Sequence, residues 1–213
     1  MTASVLLVDD HQLMRQGLRS ILEKEATLEV VGEAASGREA LRLVDLLRPD
    51  VVIMDVVMKD LNGIEATREI RRRHPKIAVV ALSNHADPSY VRAMLEARAS
   101  AYVLKADAYD ELHRAVRAAL SGKTYISQRL APSLNDEVGG LRGSAYEQLG
   151  PREREVLQLV AEGCSSQEIA QRMFVAVTTV ETHRRNLMRK LGIHGVAQLT
   201  KYAIREGLTD VES

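Results

Sequence analysis

The chain has 213 residues, long for one typical domain of about 100–150 residues and comfortable for two. Hydrophobic residues at 46% and charged residues at 27% exclude wholesale disorder, and with one Phe, six Tyr and no Trp the core must be aliphatic. Lys plus Arg and Asp plus Glu are 29 each, so no bulk field draws the chain to nucleic acid or membrane, and any such binding must come from a local patch.

From the N-terminus, short aliphatic runs alternate with amphipathic stretches, the pattern of strand and helix units around a parallel sheet. Strands are predicted at Val5–Val8, Leu28–Gly32, Val51–Met54, Ile77–Leu82 and Ala101–Leu104. VLLV, VVIM and IAVVAL are continuous apolar runs, as strands covered on both faces require. Between them Met14, Leu18, Ile21 and Leu22 share one helical face, as do Ala40, Val44 and Leu47, and later Leu112, Val116, Ala119 and Leu120. The expected fold is a doubly wound α/β domain over 1–122 with a parallel five-stranded sheet, flavodoxin-like if the strand order is 2-1-3-4-5.

Asp9 and Asp10 follow the first strand and Asp55 follows the third. With that order these strands are neighbours at the switch point, which brings three carboxylates into one crevice. Clustered carboxylates raise one another's pKa unless a cation joins them, and Mg²⁺ takes hard oxygen ligands while keeping waters exchangeable for phosphate oxygens. Ser83 ends the fourth strand and Lys105 the fifth, adding a hydroxyl and a cation to the same rim. Taken singly, an Asp after a strand is most often a helix cap and a Lys there is solvated. Together the five suit phosphoryl chemistry, with a carboxylate nucleophile, a metal and Lys against the equatorial oxygens, and a hydroxyl for the product.

Residues 1–120 resemble the receiver domain of two-component response regulators, through VLLVDDHQLMRQGL, PDVVIMDVVM, NGIEATREI and AYVLK. The resemblance implies that Asp55 is the phosphoacceptor, that Asp10 and Asp55 ligate Mg²⁺ with the main-chain carbonyl of Val57, and that Asp9 holds a metal water. It implies too that Lys105 pairs with the phosphoryl group and that Ser83 and Tyr102 form the switch pair. Three positions depart from the family: Lys59 stands where Pro is usual after Met58, and Arg98 and Ala101 stand at familiar Gly positions before AYVLK. His85 and Val57 flank the pocket, where the family tunes phosphoryl lifetime.

A linker is expected over 123–148, because PSLNDEVGGLRGSA within it carries three Gly and a Pro without periodicity. Over 149–213 four short helices are predicted, one from Pro151 to about Glu162, one capped by Ser165 or Ser166, one at Val177–Leu191 stopped by Gly192, and one at Val196–Glu206. On a wheel of about 100° per residue Val180, Leu187 and Leu191 share one side of the third helix. Thr178, Thr182, Arg185 and Arg189 lie opposite, flanked by Glu181 and Asn186. Such a stripe is most often a solvated face. Here it is short-chained at first and basic later, with Arg184, Arg185, Arg189 and Lys190 close together, which suits base reading followed by phosphate contact.

PREREVLQLVAEG, SSQEIAQRM, TTVETHRRNLMRKLG and AQLTKYAIREGL resemble the LuxR-type helix-turn-helix of the NarL/FixJ subfamily. By that resemblance Thr178, Glu181, Thr182, Arg185 and Arg189 contact DNA. Residues 150–213 carry nine Lys plus Arg against eight Asp plus Glu, so a monomer should bind DNA poorly and a dimer on a two-fold site would compensate. Gln167 and Glu181 stand where Lys is common, and Ala176 replaces the usual capping Ser.

The single cysteine, Cys164, excludes an internal disulfide and a zinc finger and suits a reducing cytoplasm. The longest apolar runs fall far short of the roughly 20 residues that cross a bilayer, and MTASVLLVDD has no basic n-region. The expected protein is a cytoplasmic transcriptional regulator, phosphorylated on Asp55 by a sensor histidine kinase. It would bind double-stranded promoter DNA as a phosphorylated homodimer, with RNA polymerase a candidate partner and no membrane partner. Two rivals stay open: a Mg-dependent phosphohydrolase with Asp55 as nucleophile, and a regulator of the same architecture that ignores phosphate.

Overall fold

The computed structural model of the chain describes residues 2–130, 145–206 and 208–209. The chain divides into two compact units, 1–138 and 139–213.

In the first unit β1 (Ala3–Val8), α1 (Gln12–Leu22), β2 (Leu28–Ala34), α2 (Gly37–Leu47), β3 (Val51–Asp55), α3 (Gly63–Arg73), β4 (Ala78–Ser83), α4 (Pro88–Glu96), β5 (Ala101–Leu104) and α5 (Ala108–Leu120) alternate as the apolar runs predict. All strand pairs are parallel and the order is β2-β1-β3-β4-β5-β6, the last being a short strand Tyr125–Ile126. Every residue of β3 and β4 is buried, which is why these segments are apolar without alternation. Within them the two-residue period still sorts the faces. Val5, Leu7, Ile53, Val80 and Val103 pack with Leu18, Leu22, Leu112 and Val116 of α1 and α5. Leu6, Val8, Val52, Met54 and Val79 face Ala40, Val44, Ala66 and Ile70 of α2 and α3. Each buried Val, Leu, Ile or Met among these contributes roughly 1.5–3 kcal/mol relative to exposure.

Two expectations need correction. The sheet has six strands, not five, and the sixth lies inside the stretch read as linker. Ser127 donates its amide to the Tyr102 carbonyl at 2.9 Å, its hydroxyl to Glu111 of α5, and Leu130 is buried beside Tyr90, Met94, Tyr102 and Leu104. The chain therefore stays packed on the first unit's sheet and helices to residue 130. The rest of the expected linker lies outside the described residues, apart from a 3-10 turn at Ala145–Gln148. Leu47 and Leu120, expected on buried helix faces, are 36% and 39% exposed, each being the last residue of its helix.

The second unit is all-helical, with α6 (Pro151–Ala161), α7 (Ser166–Met173), α8 (Val177–Leu191) and α9 (Val196–Arg205). Its core joins Leu157, Ile169, Val180, Leu187, Leu199 and Tyr202. Ser165 caps α7 in a reciprocal box with Glu168, whereas Ala176, at the start of α8, offers no side-chain cap.

Candidate functional site

The carboxyl ends of β1, β3 and β5 deliver Asp9, Asp55 and Lys105 to one buried crevice. Asp9 and Asp55 are 1% and 4% exposed. Lys105 Nζ lies 2.7 Å from Asp9 Oδ2 and 2.8 Å from Asp55 Oδ2, bridging the two strands. Burial raises the Asp55 carboxyl to about 7; the Lys105 charge opposes the rise, and Asp9 and Asp10 add to it. The same two carboxylates hold Lys105 above the usual lysine value despite its burial. The crevice is an acid cluster held in check by one ammonium.

Asp10 is more open, and its buried Oδ1 has no aligned hydrogen-bond donor among the described residues, with the His11 ring nitrogen 2.8 Å away as an ion contact. One ligand atom each from Asp9, Asp10, His11 and Asp55 lies within 4.8 Å of the others. Hard carboxylate oxygens at this spacing fit a small divalent cation. His11 was not anticipated. It follows the acid pair directly, donates its amide to Asp9 Oδ1 at 2.9 Å and has a largely exposed ring.

Below Asp55 the β3–α3 loop is held closely. Gly63 donates its amide to the Val56 carbonyl, and a Cβ at Gly63 would lie 1.9 Å from the Asp55 carbonyl oxygen, so any side chain there collides with the pocket floor. Asn62, fully buried, caps α3 by accepting from Glu65. Val57 is half-buried in the bend just after Asp55. Lys59, at the usual Pro position, is exposed, and the next residue, Asp60, takes a left-handed φ of 72° and pairs with Arg38 at 2.7 Å. That ion pair anchors the loop where a proline would have fixed φ.

Ser83 is buried at the end of β4 and accepts from the His85 amide at 3.0 Å. Tyr102 is wholly buried; its hydroxyl donates to the His85 carbonyl at 2.9 Å, and burial pushes it well above the usual phenol value. The His85 ring stacks on Tyr90 with centroids 4.4 Å apart. Asp9, Asp10, Asp55, Ser83, Lys105 and Tyr102 thus all gather at one end of the sheet.

In the second unit, α8 buries Val180 and Leu187 and exposes Thr178, Glu181, Thr182, Arg185 and Arg189, the face that the wheel assigns. The flanking cations are less available than the sequence suggests. Arg184 donates to Ser166 at 2.8 Å and Lys190 pairs with Glu153 at 2.6 Å, tying α8 to α7 and α6. Glu181 accepts from the Ser166 hydroxyl. Arg189 donates to Asn186 at 3.1 Å, while Arg185 has no protein partner among the described residues. Phe174, in the turn before α8, was not anticipated; it is 90% exposed with a left-handed φ of 55°.

Comparison with known proteins places two families on this chain. Residues 5–117 match the response regulator receiver domain, and residues 147–203 match the bacterial regulatory proteins of the luxR family. The transcriptional regulatory protein LiaR of Bacillus subtilis is 37% identical over 208 residues, 97% of this chain and 99% of that one. The response regulator protein VraR of Staphylococcus aureus is 36% identical over 98% of this chain and 99% of its own length. Among solved structures, RcsB of Salmonella enterica serovar Typhimurium, bound to the promoter rprA in the presence of phosphomimetic BeF3-, aligns with TM-score 0.63 and 28% identity, covering 95% of this chain and 98% of that one. A carboxylate pocket at the receiver's switch point and an exposed polar face on the third helix of the second unit stand where those families lead one to look. The chain belongs to the response regulators, as a DNA-binding transcriptional regulator of the NarL/FixJ type in which a receiver domain precedes a LuxR-type helix-turn-helix.

Proposed function

We propose that Asp55 accepts a phosphoryl group from the phosphohistidine of a sensor histidine kinase and that this acylphosphate shifts the protein toward a DNA-binding homodimer. The observation that carries the reading is the buried bridge of Lys105 to Asp9 and Asp55, a carboxylate cluster already matched to one movable cation. An Asp55 oxygen attacks phosphorus, the new O–P bond forms as the N–P bond breaks, and the departing imidazole keeps the nitrogen lone pair. Asp10, Asp55 and the Val57 carbonyl would hold Mg²⁺, with Asp9 reaching it through water. When bound, Mg²⁺ supplies positive charge to the equatorial phosphoryl oxygens. Lys105 moves its contact from the Asp55 carboxylate to the phosphoryl group, and the Ser83 hydroxyl donates to it from the adjacent strand. Tyr102 follows Ser83, since its hydroxyl hydrogen-bonds the carbonyl two residues beyond it.

Thr178, Glu181, Thr182, Arg185 and Arg189 would meet promoter DNA. The near-neutral second unit supports a dimer, because one copy brings few phosphate contacts and a two-fold site doubles them. The protein then acts as a switch in the cytoplasm more than as a turnover enzyme, with RNA polymerase a candidate partner at the promoter. Intact-mass spectra after acetyl phosphate plus Mg²⁺ test the acceptor. One added phosphoryl mass is expected on the parent and none on Asp55→Asn; a persistent adduct on the variant would place the acceptor elsewhere.

A further inference from the structure

At the opposite end of the sheet from the acidic pocket, the amino ends of β4 and β5 and the carboxyl ends of α3 and α5 enclose a trough of about 470 Å³. Arg71, Lys76, Arg98 and Lys123 line it with Ser100 and Thr124, and no carboxylate lines it among the described residues. Pro75, Ala78, Ala119 and the exposed Leu120 are among its apolar lining. None of the four has a carboxylate partner among the described residues; Lys76, Arg98 and Lys123 are exposed, so their mutual repulsion is moderated by solvent, and a bound anion would relieve it.

Arg71 is the half-buried member. Its Nη1 donates to the Pro75 and Ile77 carbonyls at 2.7 and 2.5 Å, and its buried Nε has no acceptor among the described residues. Burial, then the neighbouring Arg98 charge, press this guanidinium below the usual arginine value. Arg98 occupies a left-handed φ of 65°, a conformation that costs a side chain and favours glycine. The strain is retained here together with a cation that lines the trough. Helix carboxyl ends attract cations by themselves, but the amides of Ser121 and Lys123 already satisfy Arg117 and Ala118 carbonyls of α5.

We infer that this trough binds a small polyanion with at least two phosphate groups, of the pyrophosphate class. Four cations exceed what one phosphate dianion neutralises, and the volume suits a small ligand. No aromatic side chain lines the trough to stack a base, so recognition is of phosphate and not of a nucleobase.

Isothermal titration of the full chain with sodium pyrophosphate, in chelator-treated buffer at about 0.15 M ionic strength, tests this. One saturable site per chain is expected. Arg98→Gly, which removes the cation and relieves the strained φ, should weaken binding about tenfold, as should Lys123→Gln, while Arg98→Lys retains most of it. Arg42→Gln, an equal charge change on the exposed face of α2, should leave binding unchanged. The inference is overturned if no saturable binding occurs, if Arg42→Gln weakens it as much as the trough variants, or if those variants alter only duplex DNA binding.

Discussion

At the scale of single residues, Asp55 concentrates the cost of the pocket. Its carboxyl titrates near 7 in the fold against an ordinary 3.8 in the unfolded chain, so between those values the folded state holds the extra proton. Stability from this group is present below about pH 4 and is lost as pH rises to about 7. In metal-free buffer Asp55→Asn, which keeps the shape and cannot ionise, should therefore raise Tm by a few degrees at pH 7.5 and change it little at pH 4. Thermal melts across that range check the sign, and a destabilised variant at neutral pH would contradict it. The carboxylates, Ser83 and Lys105 were legible in the sequence because each stands at the end of an apolar run. His11, Gly63 and the Asp60–Arg38 anchor were not, since their roles depend on how the β1–α1 and β3–α3 loops fold back.

At the scale of elements, strands covered on both faces were readable and β6 was not. Tyr125–Ile126 is only two residues long and half-buried, and what fixes it comes from elsewhere: the Ser100 and Tyr102 carbonyls, Glu111 and the pocket that takes Leu130. Leu130→Ala should cost about 2–5 kcal/mol in urea unfolding of the receiver unit. A loss below 1 kcal/mol would mean that this segment is not anchored. On α8 the buried and exposed faces were legible from periodicity, but the partners of Arg184 and Lys190 lie on other helices and left no local signal. With those two cations engaged, Arg185 and Arg189 carry the exposed charge. Arg185→Ala should relax preference at one base pair per half-site, at about 1–3 kcal/mol, whereas Arg189→Ala should weaken all duplexes alike and flatten the salt slope by about one per subunit. Fluorescence anisotropy on matched and scrambled duplexes across a salt series separates them; unchanged affinity and preference in both would leave the stripe facing solvent.

At the scale of the whole molecule, an acid pocket in one unit and a near-neutral LuxR-type unit after it call, on the proposed reading, for a device that multiplies contacts. In the proposed account dimerisation would supply it, and a phosphoryl group on Asp55 would supply the trigger. The most direct test is the affinity of the full chain for a two-fold promoter duplex, measured by anisotropy at fixed salt with and without acetyl phosphate plus Mg²⁺, beside Asp55→Asn. Phosphodonor should tighten parental binding at least tenfold, with a steeper salt dependence as the second subunit's contacts join, and leave Asp55→Asn unmoved. Equal affinity of the parent with and without phosphodonor, or equal tightening of Asp55→Asn, would contradict the account.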